Sequence, residues 1–263
     1  MSKVPGNHSG NEGMHPAITI HLVGDSTMAD YSADFTTDTT YMKGVYPLTG
    51  WGQVFKEYSN LKDFANGHKR VNVTNHAKAG GSTRTFLREG RWSTVYEGLK
   101  NEDLVLIQFG HNDSAENKPE RFVTIDRYVE LLTLFVNQTK EKRAIPILVT
   151  PVCRNYPWKE GRLQNAHGEY PQAVKNVARD NQVLLIDLNE ISMKLFSEEG
   201  EDYVTSQYFM NLPAGKFEAY PDGLNDNTHF QTAGASVVAN LVVETMKVIL
   251  GYSSPVKVAG NKY

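Results

Sequence analysis

The chain has 263 residues, 40% of them hydrophobic, and a formal net charge of −3. That length can bury one substantial core without covalent staples, and the lack of a lysine/arginine block argues against nucleic acid as a partner. Cys153 is the only cysteine, which excludes an intramolecular disulfide framework, and no apolar run approaches the roughly 20 residues that a membrane-spanning helix needs.

In chain order, Met1–Met14 is rich in Gly, Asn and Ser and has no apolar stretch of the kind a signal peptide carries. The expectation is a disordered leader over residues 1–15, one domain over 16–263, and a cytoplasmic location unless a signal has been removed. A first strand is predicted over Ala17–Val23, a second over Val71–Ala77 and a third over Leu104–Gly110. A helix follows in which Ile125, Tyr128, Val129, Leu132, Phe135 and Val136 recur at spacings of three and four. Lys140, Lys142 and Arg143 stand at its end, where cations suit the helix dipole. A fourth strand is predicted over Ile145–Thr150 and a fifth over Val183–Asp187, separated by a shorter helical stripe of Ala173, Val174, Val177 and Ala178. Val238, Leu241, Val242, Met246, Ile249 and Leu250 mark a last helix. All five strands are short, apolar or β-branched, and lack the polar alternation of a sheet with one wet face. Strand–helix alternation of this kind predicts an α/β fold, a parallel sheet between two layers of helices. Three connections are longer than such a fold requires: Ala29–Gly50, Cys153–Glu169 and Glu201–Asn225. They hold Tyr31, Phe35, Tyr41, Tyr46, Tyr156, Trp158, Tyr203, Tyr208, Phe209 and Tyr220, an aromatic content that favours functional loops over disordered ones.

Four short segments hold residue types that acyl transfer uses, and each also admits a structural reading. Gly24-Asp25-Ser26-Thr27 ends the first strand; Ser26 is a potential nucleophile, or Ser26 or Asp25 caps the next helix. Ala79-Gly80-Gly81-Ser82 follows the second strand. A glycine there lets its amide approach a developing oxyanion, while Ser82 is either a rival nucleophile or a helix cap. Gly110-His111-Asn112-Asp113 ends the third strand. The Asn112 amide is a potential oxyanion donor, or the segment is an Asx-type turn, and His111 suits a structural hydrogen bond better than a base. Asp226-Asn227-Thr228-His229 precedes the last helix as a loop, where Asp226 can orient His229 as a base. The same stretch, Thr228 to Gln231, matches a capping box. No nucleophile elbow, dinucleotide fingerprint, P-loop, zinc-protease or paired-cysteine motif is present. The potential nucleophile, carboxylate and base occur once each, at strand or helix ends, in the order Ser, Asp, His.

These segments resemble the SGNH (GDSL-type) hydrolases and, among them, the rhamnogalacturonan acetylesterase group, carbohydrate esterase family twelve. The closer likeness rests on Gly24-Asp25-Ser26-Thr27-Met28-Ala29, on Gly50-Trp51-Gly52, and on the run from Ala79 through Gly80, Ser82, Arg84 and Arg88-Glu89-Gly90-Arg91 to Trp92. It rests also on Phe109-Gly110-His111-Asn112-Asp113 and Asp226-Asn227-Thr228-His229-Phe230, and it spans nearly the whole chain. The resemblance implies a flavodoxin-like three-layer α/β/α sandwich with a five-stranded parallel sheet, and a serine esterase needing no metal or cofactor. It implies Ser26 as nucleophile, His229 as base and Asp226 as its partner. The implied oxyanion donors are the amides of Ser26 and Gly80 and the side chain of Asn112; Gly80 is selected over Gly81 because it directly follows Ala79. The expected substrate is an acetylated oligosaccharide, pectin-derived rhamnogalacturonan first among them, with no nucleic-acid or membrane partner. Arg84 and Trp92, with the loop aromatics, are the expected sugar contacts, and Arg84 fits a structural anchor equally well. A lipid or thioester hydrolase of the same fold and a non-catalytic carbohydrate-binding module are the alternatives.

Overall fold

Residues 17–33, 37–64 and 70–252 are described by a computed structural model; the expected leader and Phe35 lie outside these residues. The strands in chain order are β1 (Ile18–Gly24), β2 (Val71–Asn75), β3 (Leu104–Gln108) and β4 (Ile145–Val149), then a short antiparallel hairpin of β5 (Trp158–Lys159) and β6 (Arg162–Leu163). After β7 (Leu184–Ile186), a second antiparallel hairpin is made by β8 (Phe209–Leu212) and β9 (Leu224–Phe230). The central sheet has the order β2-β1-β3-β4-β7 and every pair in it is parallel. All five predicted strands are therefore present, in the order of a flavodoxin-like fold. In such a sheet the strand order reverses between β1 and β3, so a crevice opens beyond their carboxyl ends.

The helices are α1 (Asp38–Gly44), α2 (Trp51–Tyr58), α3 (Thr83–Arg88), α4 (Arg91–Gly98), α5 (Ile125–Glu141), α6 (Tyr170–Asp180), α7 (Leu188–Glu199), α8 (Glu201–Gln207) and α9 (Thr232–Ile249). Period-two alternation along the strands sorts them into layers. Ile20 and Leu22 of β1, Leu106 of β3 and Ile147 of β4 pack with Trp51 and Phe55 of α2, Phe196 of α7 and Val242 of α9. Their neighbours Val23, Val105, Ile107 and Leu148 face the other way, onto Phe86 of α3, Trp92 of α4, Phe135 of α5 and Val177 of α6. Burying each such side chain contributes about 1.5–3 kcal/mol. α9 has a mean hydropathy of 1.3 over its 18 residues, enough by length and composition alone to cross a bilayer, which the sequence reading did not register. In the fold its Val238, Ala239, Val242, Val243 and Met246 are core residues.

The three long connections are more structured than their composition suggests. The first contains α1, the second the β5–β6 hairpin, and the third α8 and β8. Tyr208 and Phe209 are buried core residues rather than loop contacts.

Candidate active site

The turn bearing Ser26 leaves β1 at the strand-order reversal and is fixed from three sides. The buried Asp25 carboxylate accepts from the Thr27 amide at 2.9 Å and the Thr27 hydroxyl at 2.8 Å, an Asx turn rather than a helix cap. Its other oxygen lies 3.1 Å from His111 Nδ1. Gln108, at the end of β3, donates to Thr27 Oγ1 at 2.7 Å and accepts from the Trp51 indole at 3.1 Å. Behind the turn, a Cβ on Gly52 would sit 2.4 Å from the Met28 carbonyl oxygen, so only glycine allows α2 to approach so closely. The outcome is Ser26, 6% exposed, at the edge of the sheet.

His229 and Asp226 arrive on a different element. Asp226, Asn227, Thr228 and His229 lie within β9, not in a plain loop, and the expected capping box is absent: Gln231 holds the N-cap position of α9 without a side-chain cap bond, and Thr228 Oγ1 instead accepts from Arg154. On a regular strand, positions three apart point to opposite faces. Here the register with β8 jumps from Phe230 opposite Phe209 to Asp226 opposite Met210, so residues 227–229 bulge out of the ladder. Asp226 Oδ1 closes the bulge by accepting from the amides of Thr228 at 2.8 Å and His229 at 3.1 Å. Asn227 ties it to the loop after β4 and to β8, its carbonyl accepting from the Asn155 amide at 2.8 Å and its side-chain oxygen from Asn211 at 2.8 Å. His229 Nδ1 is thereby placed 2.6 Å from Asp226 Oδ2, and His229 Nε2 lies 2.8 Å from Ser26 Oγ across 203 positions of sequence. Burial works to raise the Asp226 carboxyl, but the hydrogen bond and charge of His229 and the two amides outweigh it and hold the group at about 2.

The remaining two segments meet beside Ser26. Gly80 has φ of +75°, a left-handed conformation that favours glycine, and lines the same cleft as Ser26 and His229. The Gly81 amide is taken by the Lys78 carbonyl at 3.0 Å, whereas among the described residues the Ser26 and Gly80 amides have no acceptor. Asn112 donates one amide hydrogen to the Gly81 carbonyl at 2.9 Å, and its oxygen accepts from Arg121 at 3.4 Å, which leaves its second hydrogen free. Asp113 accepts from the Gly110 amide at 3.1 Å, the Thr83 amide at 2.9 Å and the Thr83 hydroxyl at 2.6 Å, which locks the turn after β3 to the start of α3. Ser82, the rival nucleophile, is the N-cap of α3 in a reciprocal box with Thr85.

Ser26, Gly80, Asn112 and His229 thus line one cleft of about 860 Å³, with Asp226 behind the imidazole. Two expected sugar contacts are not there. Trp92 is 1% exposed, stacked on Phe135 with ring centroids 4.2 Å apart, and its indole donates to Gln138; it is a core residue. Arg84 donates to the carbonyls of Pro119 and Phe122 and anchors the segment after β3 from outside the cleft. Of the loop aromatics, Tyr156 does line the cleft, while Tyr31 donates to the Ser26 carbonyl at 3.0 Å and so braces the turn. Sequence reasoning missed the charged lining of the cleft, Glu116, Lys118, Arg121 and Arg154. It also missed the partner of His111, Asp25, which lies 86 positions away.

Residues 22–237, which bracket all four segments, match the GDSL-like lipase/acylhydrolase family. The chain belongs to that family. Like its members it is a carboxylic-ester hydrolase. It is 37% identical over 231 residues to the rhamnogalacturonan acetylesterase RhgT of Bacillus subtilis, covering 88% of this chain and 90% of that protein. Among solved structures, the Bacillus subtilis protein YxiM superposes with a TM-score of 0.70 at 24% identity; 88% of this chain is covered, and the chain spans only 56% of that protein. The acetylxylan esterase Axe2 of Geobacillus stearothermophilus gives a TM-score of 0.56 at 15% identity, over 91% of this chain and 97% of Axe2. These two likenesses show a shared fold.

Proposed function

We propose that the chain removes O-acetyl groups from acetylated sugars, pectin-derived rhamnogalacturonan oligosaccharides first among them, through an acetyl-enzyme on Ser26. The observation that carries this reading is the Ser26–His229–Asp226 relay opening onto a wide cleft walled by polar and charged side chains. Ser26 Oγ–H donates to His229 Nε2, and His229 takes that proton as Oγ attacks the acetyl carbonyl. Asp226, ionised down to about pH 2, holds the other ring nitrogen and stabilises the imidazolium. The tetrahedral oxyanion is held by the amides of Ser26 and Gly80 and the free Asn112 hydrogen. The bond to the sugar oxygen breaks as His229 returns the proton to the departing alkoxide. A water, deprotonated by His229, then attacks the acetyl-Ser26 carbonyl; the bond from that carbon to Oγ breaks, Oγ takes the proton back from His229, and acetate leaves.

The names of the curated relatives support the pectic substrate. A long acyl chain, as a lipid hydrolase would bind, requires an apolar channel, whereas Ser114, Glu116, Asn117 and Lys118 face this cleft. The test is acetate release from acetylated pectic and xylan oligosaccharides, with an aryl ester series of increasing acyl length beside it. The expected result is a preference for two-carbon esters and for the pectic substrates, and labelling by an organophosphonate that disappears in Ser26→Ala. Rates that rise with acyl length would overturn the reading.

A further inference from the structure

Among the cations of the cleft, Arg154 combines partial burial with the lack of a carboxylate partner, whereas Lys118 is exposed. Arg121 has a carboxylate beside it, Glu120 at 3.3 Å, and is occupied by Asn112. Arg154 is partly buried, yet among the described residues no carboxylate stands within ion-pair distance of it. Its guanidinium is nevertheless held in place. One terminal nitrogen donates to the His111 carbonyl at 3.1 Å, next to Asn112, and the other to Thr228 Oγ1, next to His229. The Tyr156 ring lies 5.9 Å from the guanidinium carbon, within cation–π range. A charge withdrawn from water is unfavourable unless an opposite charge meets it. Those two bonds use two of the five guanidinium N–H groups, and a planar fork matches a carboxylate better than it matches a hydroxyl. Around it the cleft is lined by Lys118 and Arg121 against a single acid, Glu116.

We propose that Arg154 is a specificity residue that binds the carboxylate of a uronic acid unit in the acetylated oligosaccharide, with Tyr156 flanking that sugar. This rests on the deacetylase reading above and adds to it the residue that recognises the acidic sugar. The guanidinium bridges the turn bearing Asn112 and the bulge bearing His229, so a sugar anchored there presents its acetyl group to Ser26.

The test compares one acetylated uronate-containing oligosaccharide with the same oligosaccharide after its carboxyl groups have been reduced to primary alcohols. The wild-type enzyme is expected to favour the acidic form in kcat/KM on the order of tenfold to a hundredfold, carried by KM, as for a hydrogen bond to a charged group. That preference should weaken with added salt, collapse in Arg154→Gln and survive in part in Arg154→Lys. The wild-type comparison stands even if a variant fails to fold. Equal kcat/KM for both forms would overturn the carboxylate subsite and leave the deacetylase reading intact; full preference retained in Arg154→Gln would overturn its assignment to Arg154. If neither form released acetate while an aryl acetate was cleaved, the sugar reading itself would fall, and this inference with it.

Discussion

The two halves of the site are mounted differently. Ser26, Gly80 and Asn112 sit on turns that leave the sheet itself, braced by the fully buried carboxylates of Asp25 and Asp113. His229 and Asp226 sit on a bulge of the β8–β9 hairpin outside the sheet, with side chains 29% and 27% exposed. The first half is an extension of the core, so its geometry and the protein's stability are one property. The second is held by polar contacts of Asp226 and Asn227, so its geometry can fail while the fold survives.

The sharpest separation is expected from His229→Ala, which should lower turnover about ten-thousand-fold or more with the thermal midpoint close to wild type. A large drop in midpoint would show that the bulge is part of the core after all. Asn112→Ala should cost about a hundredfold or more in kcat with KM little changed, measured on a small aryl acetate. Asp25→Ala should act on both properties, because it leaves His111 and Thr27 buried without their partner; about 3–5 kcal/mol of stability is expected to go, read by urea unfolding. Trp92→Ala should lose a comparable amount without any selective change in sugar KM. Asn227→Ala is expected to reduce kcat about tenfold through loosened positioning of the base, with only a small shift in unfolding midpoint.

The smallest effect concerns acid. Burial holds His21, His111 and His167 below the ordinary histidine range and pushes His76 down to about 4. The unfolded chain takes up these protons near 6.5, the folded chain only at lower pH. The stability associated with neutral histidines is therefore full above 6.5 and lost progressively as the pH falls toward 4. Asp113, raised by burial to about 7, acts in the opposite sense, disfavouring the fold as pH rises from 3.8. Urea midpoints across that range should fall on acidification for the wild type and fall less for His76→Gln.

Legibility in the sequence follows the same division. The five strands and the helices α5, α6 and α9 were readable because apolar periodicity and burial are the same signal there. Ser26, Gly80 and Asn112 were readable because they end those strands. The β8–β9 hairpin was not: Leu-Asn-Asp-Asn-Thr-His-Phe has no alternation, and its pairing depends on polar side chains such as Asn211 and Asn155 that no local pattern reveals. The place of Trp92 was available in principle, since Trp92, Val95 and Leu99 recur at helical spacing and form a core stripe. Arg154 carried no local signal, because what matters is the company that three distant segments give it.

The bulge has one further consequence. Because both oxygens of Asp226 are committed within the same four residues, one to backbone amides and one to the imidazole, the acid and the ring travel together as a single rigid body. Motion of the hairpin therefore carries the pair together and acts first on the gap to the serine oxygen. That separation is 2.8 Å here, and a change in it would act on turnover before it acted on stability.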